Sequence, residues 1–151
     1  MVWLNWLTEH WFDLIQTTGV VGGLLFTGFA LNADAKAKRA SNLLNITQQH
    51  RELWSLLYSE PELFRILRSD ANIASEPVTP KEEQFVRFII LHLNASFQAD
   101  KAGVYNEPSG VNADTKSFFA LPIPPAVWTA RKQFCDADFV NFVETARKVA
   151  A

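Results

Sequence analysis

Leu14-Ile-Gln-Thr-Thr-Gly-Val-Val-Gly-Gly-Leu-Leu-Phe-Thr-Gly-Phe-Ala-Leu31 contains no charged side chain, and the nearest charges on either side are Asp13 and Asp34. At a helical rise of about 1.5 Å per residue the run covers about 27 Å, close to the hydrocarbon core of a bilayer. Leu14, Ile15, Val20, Val21, Leu24, Leu25, Phe26, Phe29 and Leu31 together favour insertion by about 4 kcal/mol. Gln16, three threonines and four glycines erode that sum without reversing it. The expectation is a transmembrane helix over 14–32. A helix buried in a globular core is the competing reading, and the flanks argue against it. Trp3, Trp6, Trp11 and Phe12 crowd just before the run, where amphipathic rings suit the headgroup level. Trp3, Leu7, Trp11 and Leu14 fall near one helical face, so 1–13 reads as a Trp-rich interfacial segment.

Small residues recur along one side of the span. Gly19, Gly23 and Thr27 form one stripe, and Thr18 and Gly22 a parallel one. This spacing lets two helix backbones approach closely in lipid, so Gly19, Gly22, Gly23 and Thr27 are the expected helix-helix contact. The partner would be a second copy or another membrane protein.

Sidedness follows from the charges. Before the run stand Glu9 and Asp13 and no Lys or Arg, which does not suit a cleaved signal peptide. After it come Lys36, Lys38 and Arg39, placing the N-terminus outside and residues 33–151 in the cytoplasm, at the cell inner (cytoplasmic) membrane. These three side chains also suit a juxtamembrane patch on anionic headgroups, at about 1 kcal/mol each. The single Cys135 agrees with a reducing compartment. On the cytoplasmic side the sequon Asn94-Ala95-Ser96 has no meaning as a glycosylation site.

With 14 Lys and Arg against 16 Asp and Glu, the chain has no electrostatic footprint for a nucleic-acid polymer. Residues 33–151 suffice for one small domain. Helical spacing runs on through Leu43, Leu44, Ile46, Leu53, Trp54, Leu57 and Tyr58, with no Gly or Pro from Ala33 to Tyr58. Ser59-Glu-Pro-Glu62 and Thr79-Pro-Lys-Glu82 both read as capping boxes opening a helix. The first opens a short helix with Leu63, Phe64, Ile66 and Leu67 on its apolar face; Arg68 to Val78 reads as a loop. The second opens a helix whose face holds Phe85, Phe88, Ile89, His92, Leu93 and Phe97, stopping at Gly103. A polar loop is expected from Gly103 to Ala113, and a short helical turn over Asp114 to Ala120. Leu121-Pro-Ile-Pro-Pro125 reads as rigid and non-helical, with its second or third proline at the start of a helix reaching Phe134. Asp136 and Asp138 would cap a last helix burying Phe139, Phe142 and Val143. The fold class is all-α: one N-terminal transmembrane helix continuing into a small cytoplasmic helical domain.

Motifs for chemistry are sparse. His50 and His92 lie on helices that pack together, and Glu52 or Glu82 could complete a metal set. Neither helix carries His-x-x-x-His or Glu-x-x-His, however, so a core histidine is the favoured reading of His92 and no metal or cofactor is expected. There is no Gly-x-Ser-x-Gly elbow and no phosphate-binding Gly-x-x-x-x-Gly-Lys loop. Asp136 and Asp138 beside Cys135 would raise its thiol pKa rather than lower it. Arg51, Arg65, Arg68, Arg87, Lys101, Lys116, Arg131 and Lys132 could converge on an anion, although pairing with nearby carboxylates is the simpler reading.

Several stretches carry a resemblance: Ile15 to Thr17, Gln49-His-Arg-Glu-Leu-Trp54, Pro61-Glu-Leu-Phe-Arg-Ile-Leu67, Phe85 to Leu93, and Phe118-Phe-Ala-Leu-Pro-Ile-Pro124 before Val127-Trp128. On these the chain resembles a family of uncharacterised small bacterial single-span membrane proteins with a cytoplasmic helical domain. The resemblance implies the architecture and, that family having no assigned activity, no functional residue. The expected function is therefore a non-enzymatic, membrane-anchored scaffold or accessory subunit working through protein-protein contacts. It would present His50, Arg51, Glu52, Arg65, Arg68 and the 103–113 loop to a partner or ligand. The alternative is a signalling or defence effector sensing an anionic small molecule such as a nucleotide, and a third reading is a metal-dependent hydrolase.

Overall fold

The computed structural model describes residues 2–105 and 110–148; within the first turns, the side chains of residues 2, 4, 5, 7 and 8 lie outside the description, and with them Leu7 of the expected interfacial face. The described residues are helical, with no strand among them. Five α-helices follow one another: α1 (Val2–Ser59), α2 (Pro80–Lys101), α3 (Val111–Phe119), α4 (Ile123–Arg131) and α5 (Ala137–Lys148), with 3-10 segments at Pro61–Leu67 and Lys132–Phe134. The chain divides into two compact units, Met1–Ser41 and Asn42–Ala151, and α1 contributes to both.

In the first unit nearly all the described side chains of α1 are exposed. It is long and apolar enough to cross a membrane, and none of its apolar window is buried. Leu24, Phe26 and Phe29 are 68%, 74% and 75% exposed. Space within 4 Å is open where a Cβ would project from Gly19, Gly22, Gly23 and Gly28. Thr27 donates its hydroxyl to the Gly23 carbonyl at 2.8 Å, which satisfies that polar group inside the helix. Lys38 pairs with Asp34 at 2.7 Å one turn back, on the exposed surface.

The second unit buries a single core. Leu57 from α1, Leu63 and Ile66 from the 3-10 segment, and Phe85, Val86, Ile90 and Leu93 from α2 meet Phe118, Phe119, Ile123, Val127, Trp128, Phe139 and Val143. Trp128 and Phe139 are fully buried with rings edge-on at 5.9 Å between centroids, and Phe97 stacks on Phe142 at 4.7 Å. Edge and offset contacts of this kind suit the ring quadrupoles. The Trp128 indole also donates to Glu144 at 3.0 Å, so the largest core side chain leaves no donor unpaired.

The start of α2 is as its sequence predicts. The Thr79 hydroxyl accepts from the Glu82 amide at 3.2 Å, and the Glu82 carboxylate accepts from the Thr79 amide at 2.8 Å, a reciprocal capping box. Glu82 is nevertheless buried, because Arg65 reaches it from the 3-10 segment with one nitrogen 2.9 Å from each carboxylate oxygen. The helix stops before Gly103, which takes a φ of 65°, a left-handed conformation that costs glycine nothing.

Four expectations need correction. Ser59 and Glu62 form no capping box: Ser59 is still in the last turn of α1, where its hydroxyl donates to the Leu56 carbonyl, and Glu60 takes the cap position without a side-chain bond. Glu62 pairs instead with Lys81 at 2.6 Å, and Pro61–Leu67 is 3-10 rather than α. On α2 the core side is centred on Phe85, Val86, Ile90 and Leu93, and Phe88 is 40% exposed. The apolar face is broader than the domain can cover. The loop after Gly103 ends at Val111, which is buried and begins α3, while its residues 106–109 lie outside the description. Finally the stretch 121–125 is non-helical only as far as Pro122: Ile123 already begins α4, and Pro124, the second proline, stands in its first turn as expected, where a missing amide hydrogen costs nothing.

Candidate ligand cavity and its histidine pair

Within the second unit α1, α2, α3 and the turns around α3 enclose a partly open cavity of about 1120 Å³. Known ligand sites occupy roughly 300–1,000 Å³ and are mostly apolar with a few placed polar groups. Here α1 contributes Leu43, Ile46, Leu53 and Leu57, α2 contributes Phe85, Ile89 and Leu93, and Val111, Phe118 and Leu121 close the far wall. The described polar lining is Thr47, His50, Trp54, His92, Ser96, Tyr105, Asp114 and Ser117, with no Lys or Arg among the described residues.

Three of these groups form a chain of hydrogen bonds with a fixed direction. The Trp54 indole Nε1 lies 2.8 Å from His50 Nε2, and His50 Nδ1 lies 3.2 Å from His92 Nε2. An indole nitrogen only donates, so His50 Nε2 accepts. The neutral His50 ring then carries its proton on Nδ1 and donates it to His92 Nε2. His92 in turn carries its proton on Nδ1. That Nδ1 is buried and has no partner among the described residues. A buried donor left unpaired costs about 1–3 kcal/mol. Burial pushes the His92 pKa down, the nearby His50 pushes it the same way, and Asp114 opposes both.

The same direction speaks against a metal at this pair. A ligating imidazole donates its second nitrogen's proton to an acceptor, whereas His50 faces an indole that is itself a donor. The carboxylates that could have completed the set are engaged elsewhere. Glu52 accepts from Gln48 at 3.0 Å and Glu82 from Arg65. No group of three or more ligating side chains occurs among the described residues.

The other surface residues singled out in the sequence are not drawn to the cavity. Arg51 is exposed on α1. Arg65 is held by Glu82 and by Glu76 at 3.2 Å, and Arg68 by Asp70 at 2.7 Å. Arg87 and Arg131 both reach Glu83, Lys101 pairs with Asp138, and Lys132 with Glu144 at 3.2 Å. Paired carboxylates therefore neutralise most of the basic residues that a nucleotide would need. The Cys135 thiol is pushed up, first by burial and then by Asp136; of the two carboxylates expected to act on it, Asp136 is the one that does. The part of the site that sequence reasoning missed is the Trp54–His50 bond, whose signal was the four-residue spacing on one helix face.

Comparison with protein-family models, with curated proteins and with solved structures produced no match to this chain.

Proposed function

We propose that this chain is a membrane-anchored accessory protein that acts by binding rather than by catalysis. The observation that carries the reading is the apolar, uncharged stretch of α1 with none of its surface buried. Lipid is the environment that would cover it without cost. The Trp-rich start of α1 then lies at one interface, and Lys36, Lys38 and Arg39 hold the other on the cytoplasmic side of the inner membrane. The small-residue stripe of Gly19, Gly22, Gly23 and Thr27, open to its surroundings, supports contact with a second copy or another single-span helix. Chaotrope and alkaline washing of membranes tests the anchor: the full-length chain stays with the bilayer and leaves it only in detergent. Protease added outside sealed right-side-out vesicles leaves residues 42–151 intact. Recovery of a monodisperse chain in detergent-free buffer would remove the reading.

A ligand-sensing role is favoured by one observation, the cavity. Its chemistry does not suit the nucleotide that the basic residues suggested, because the described lining carries a carboxylate, Asp114, and neither Lys nor Arg.

A further inference from the structure

We propose that the surface around the end of α4 docks on an anionic lipid bilayer, with Phe134 entering the headgroup layer while Arg87, Arg131, Lys132 and Arg147 meet the lipid phosphates. The inference rests on the membrane reading above, which brings a bilayer within reach, and adds a contact that the apolar run of α1 does not make. Every residue of the surface belongs to the unit Asn42–Ala151. Two observations point to this partner. The first is a surplus of positive charge. Arg87 and Arg131 both donate to Oε1 of Glu83, the latter at 3.1 Å, and Lys132 and Arg147 share Glu144 at 3.2 and 3.4 Å. Four cations thus hold two carboxylates, and pairing leaves two positive charges unanswered. Asp136 and Lys148, exposed and next in sequence to this group, offset one another. The second observation is Phe134 itself. It closes the 3-10 segment Lys132–Phe134, is 73% exposed, and has its ring centre 5.8 Å from the Arg131 guanidinium carbon. An exposed ring beside cations matches a headgroup layer, where the apolar body goes inward and the charges stay with the phosphates. Each Lys or Arg at an anionic surface strengthens binding about 5-fold. Two surplus charges and one ring make a weak contact alone, and a surface already tethered to the bilayer needs no more.

The full-length chain in lipid nanodiscs tests this, with photoreactive benzoylphenylalanine in place of Phe134 in one variant and of Phe26 in another. In discs of phosphatidylcholine containing phosphatidylglycerol, photolysis at position 134 is expected to give an adduct with lipid. The yield is expected to fall about 5-fold or more in phosphatidylcholine alone, and likewise in about 1 M salt, where the screening length is about 3 Å. Arg131→Gln with Lys132→Gln is expected to give a similar loss in the anionic discs. That double variant leaves Glu83 bonded to Arg87, and Glu144 to Arg147 and Trp128, so folding is not at stake. Position 26 is expected to label lipid in both kinds of disc. No lipid adduct at 134, equal yields with and without the anionic lipid, or a yield unmoved by the double variant would each overturn the proposal. Capture of added polyglutamate in preference to lipid would also overturn it, handing the surface to an acidic protein. Silence at 134 alone leaves the membrane anchor standing, whereas absence of lipid labelling at 26 removes the anchor and this contact with it.

Discussion

Replacing Arg65 with methionine isolates the interaction that joins the 3-10 segment to the start of α2. The Arg65 side chain is 14% exposed and that of Glu82 is 4% exposed, so water screens the pair little. In Arg65→Met the stem's packing is kept, but Glu82 stays buried with a charge answered only by the Thr79 amide. Stranding one member of a buried ion pair costs about 3–5 kcal/mol. For a unit of this size about 1 kcal/mol corresponds to roughly 4 °C, so the melting temperature is expected to fall by about 12–20 °C. Glu82→Gln removes the charge along with its partner's purpose and weakens the cap, for a loss of about 1–2 kcal/mol. The double variant Arg65→Met with Glu82→Gln is therefore expected to be more stable than Arg65→Met alone, with a coupling energy of about 2–3 kcal/mol. Near-ultraviolet circular dichroism of the full-length chain in mild detergent follows the loss of the ordered Trp128 environment. Additive losses, or a drop under about 4 °C in Arg65→Met, would refute the idea that this pair is a coupled, desolvated unit.

Thr79→Ala breaks one arm of the α2 capping box and is expected to cost about 1 kcal/mol in the same melts. Because burial holds the folded His92 pKa below its ordinary value, the folded state binds fewer protons than the unfolded one. Stability is thus whole above the unfolded histidine pKa of about 6.5 and falls as acid is added toward the folded value; melts between pH 7.5 and 5.5 register this, and His92→Phe flattens it. Glu144 acts in the same direction at lower pH: the Trp128 bond comes first in holding its pKa down, so its contribution is present above about pH 4.3 and disappears on further acidification, a loss absent from Glu144→Gln. Gly19→Leu with Gly23→Leu is expected to lower the oligomer size in detergent, measured by light scattering; an unchanged mass would mean that the stripe faces lipid.

The legible parts of this fold are those fixed by local chemistry. Thr79, Pro80 and Glu82 announce a helix start because cap, proline and carboxylate all act within four residues. Gly103 announces the stop for the same reason. The Ser59 site carries the same letters and fails, because α1 runs through Ser59 and only the packing of Leu57, Leu63 and Ile66 shows where the chain turns. On α2 the pattern gave an apolar face but not its covered width, so Phe88 and Ile90 exchanged roles once neighbours arrived. His50 and His92 are separated by 42 positions, and their meeting depends on how α1 and α2 pack. Their identity as candidates was readable. The cavity beside them was not, since a void is defined by what several distant segments leave unfilled.

The hydrogen-bond order from Trp54 to His92 makes an indole the arbiter of which nitrogen is protonated in two rings, the second on a different helix. Without that indole, as in Trp54→Phe, His50 is free to exchange its tautomer, and the donor presented by His92 can become an acceptor. A residue hydrogen-bonded to His50 and not to His92 thereby sets the polarity of the unpaired His92 nitrogen, and the ¹⁵N shifts of the two imidazoles would register the reversal.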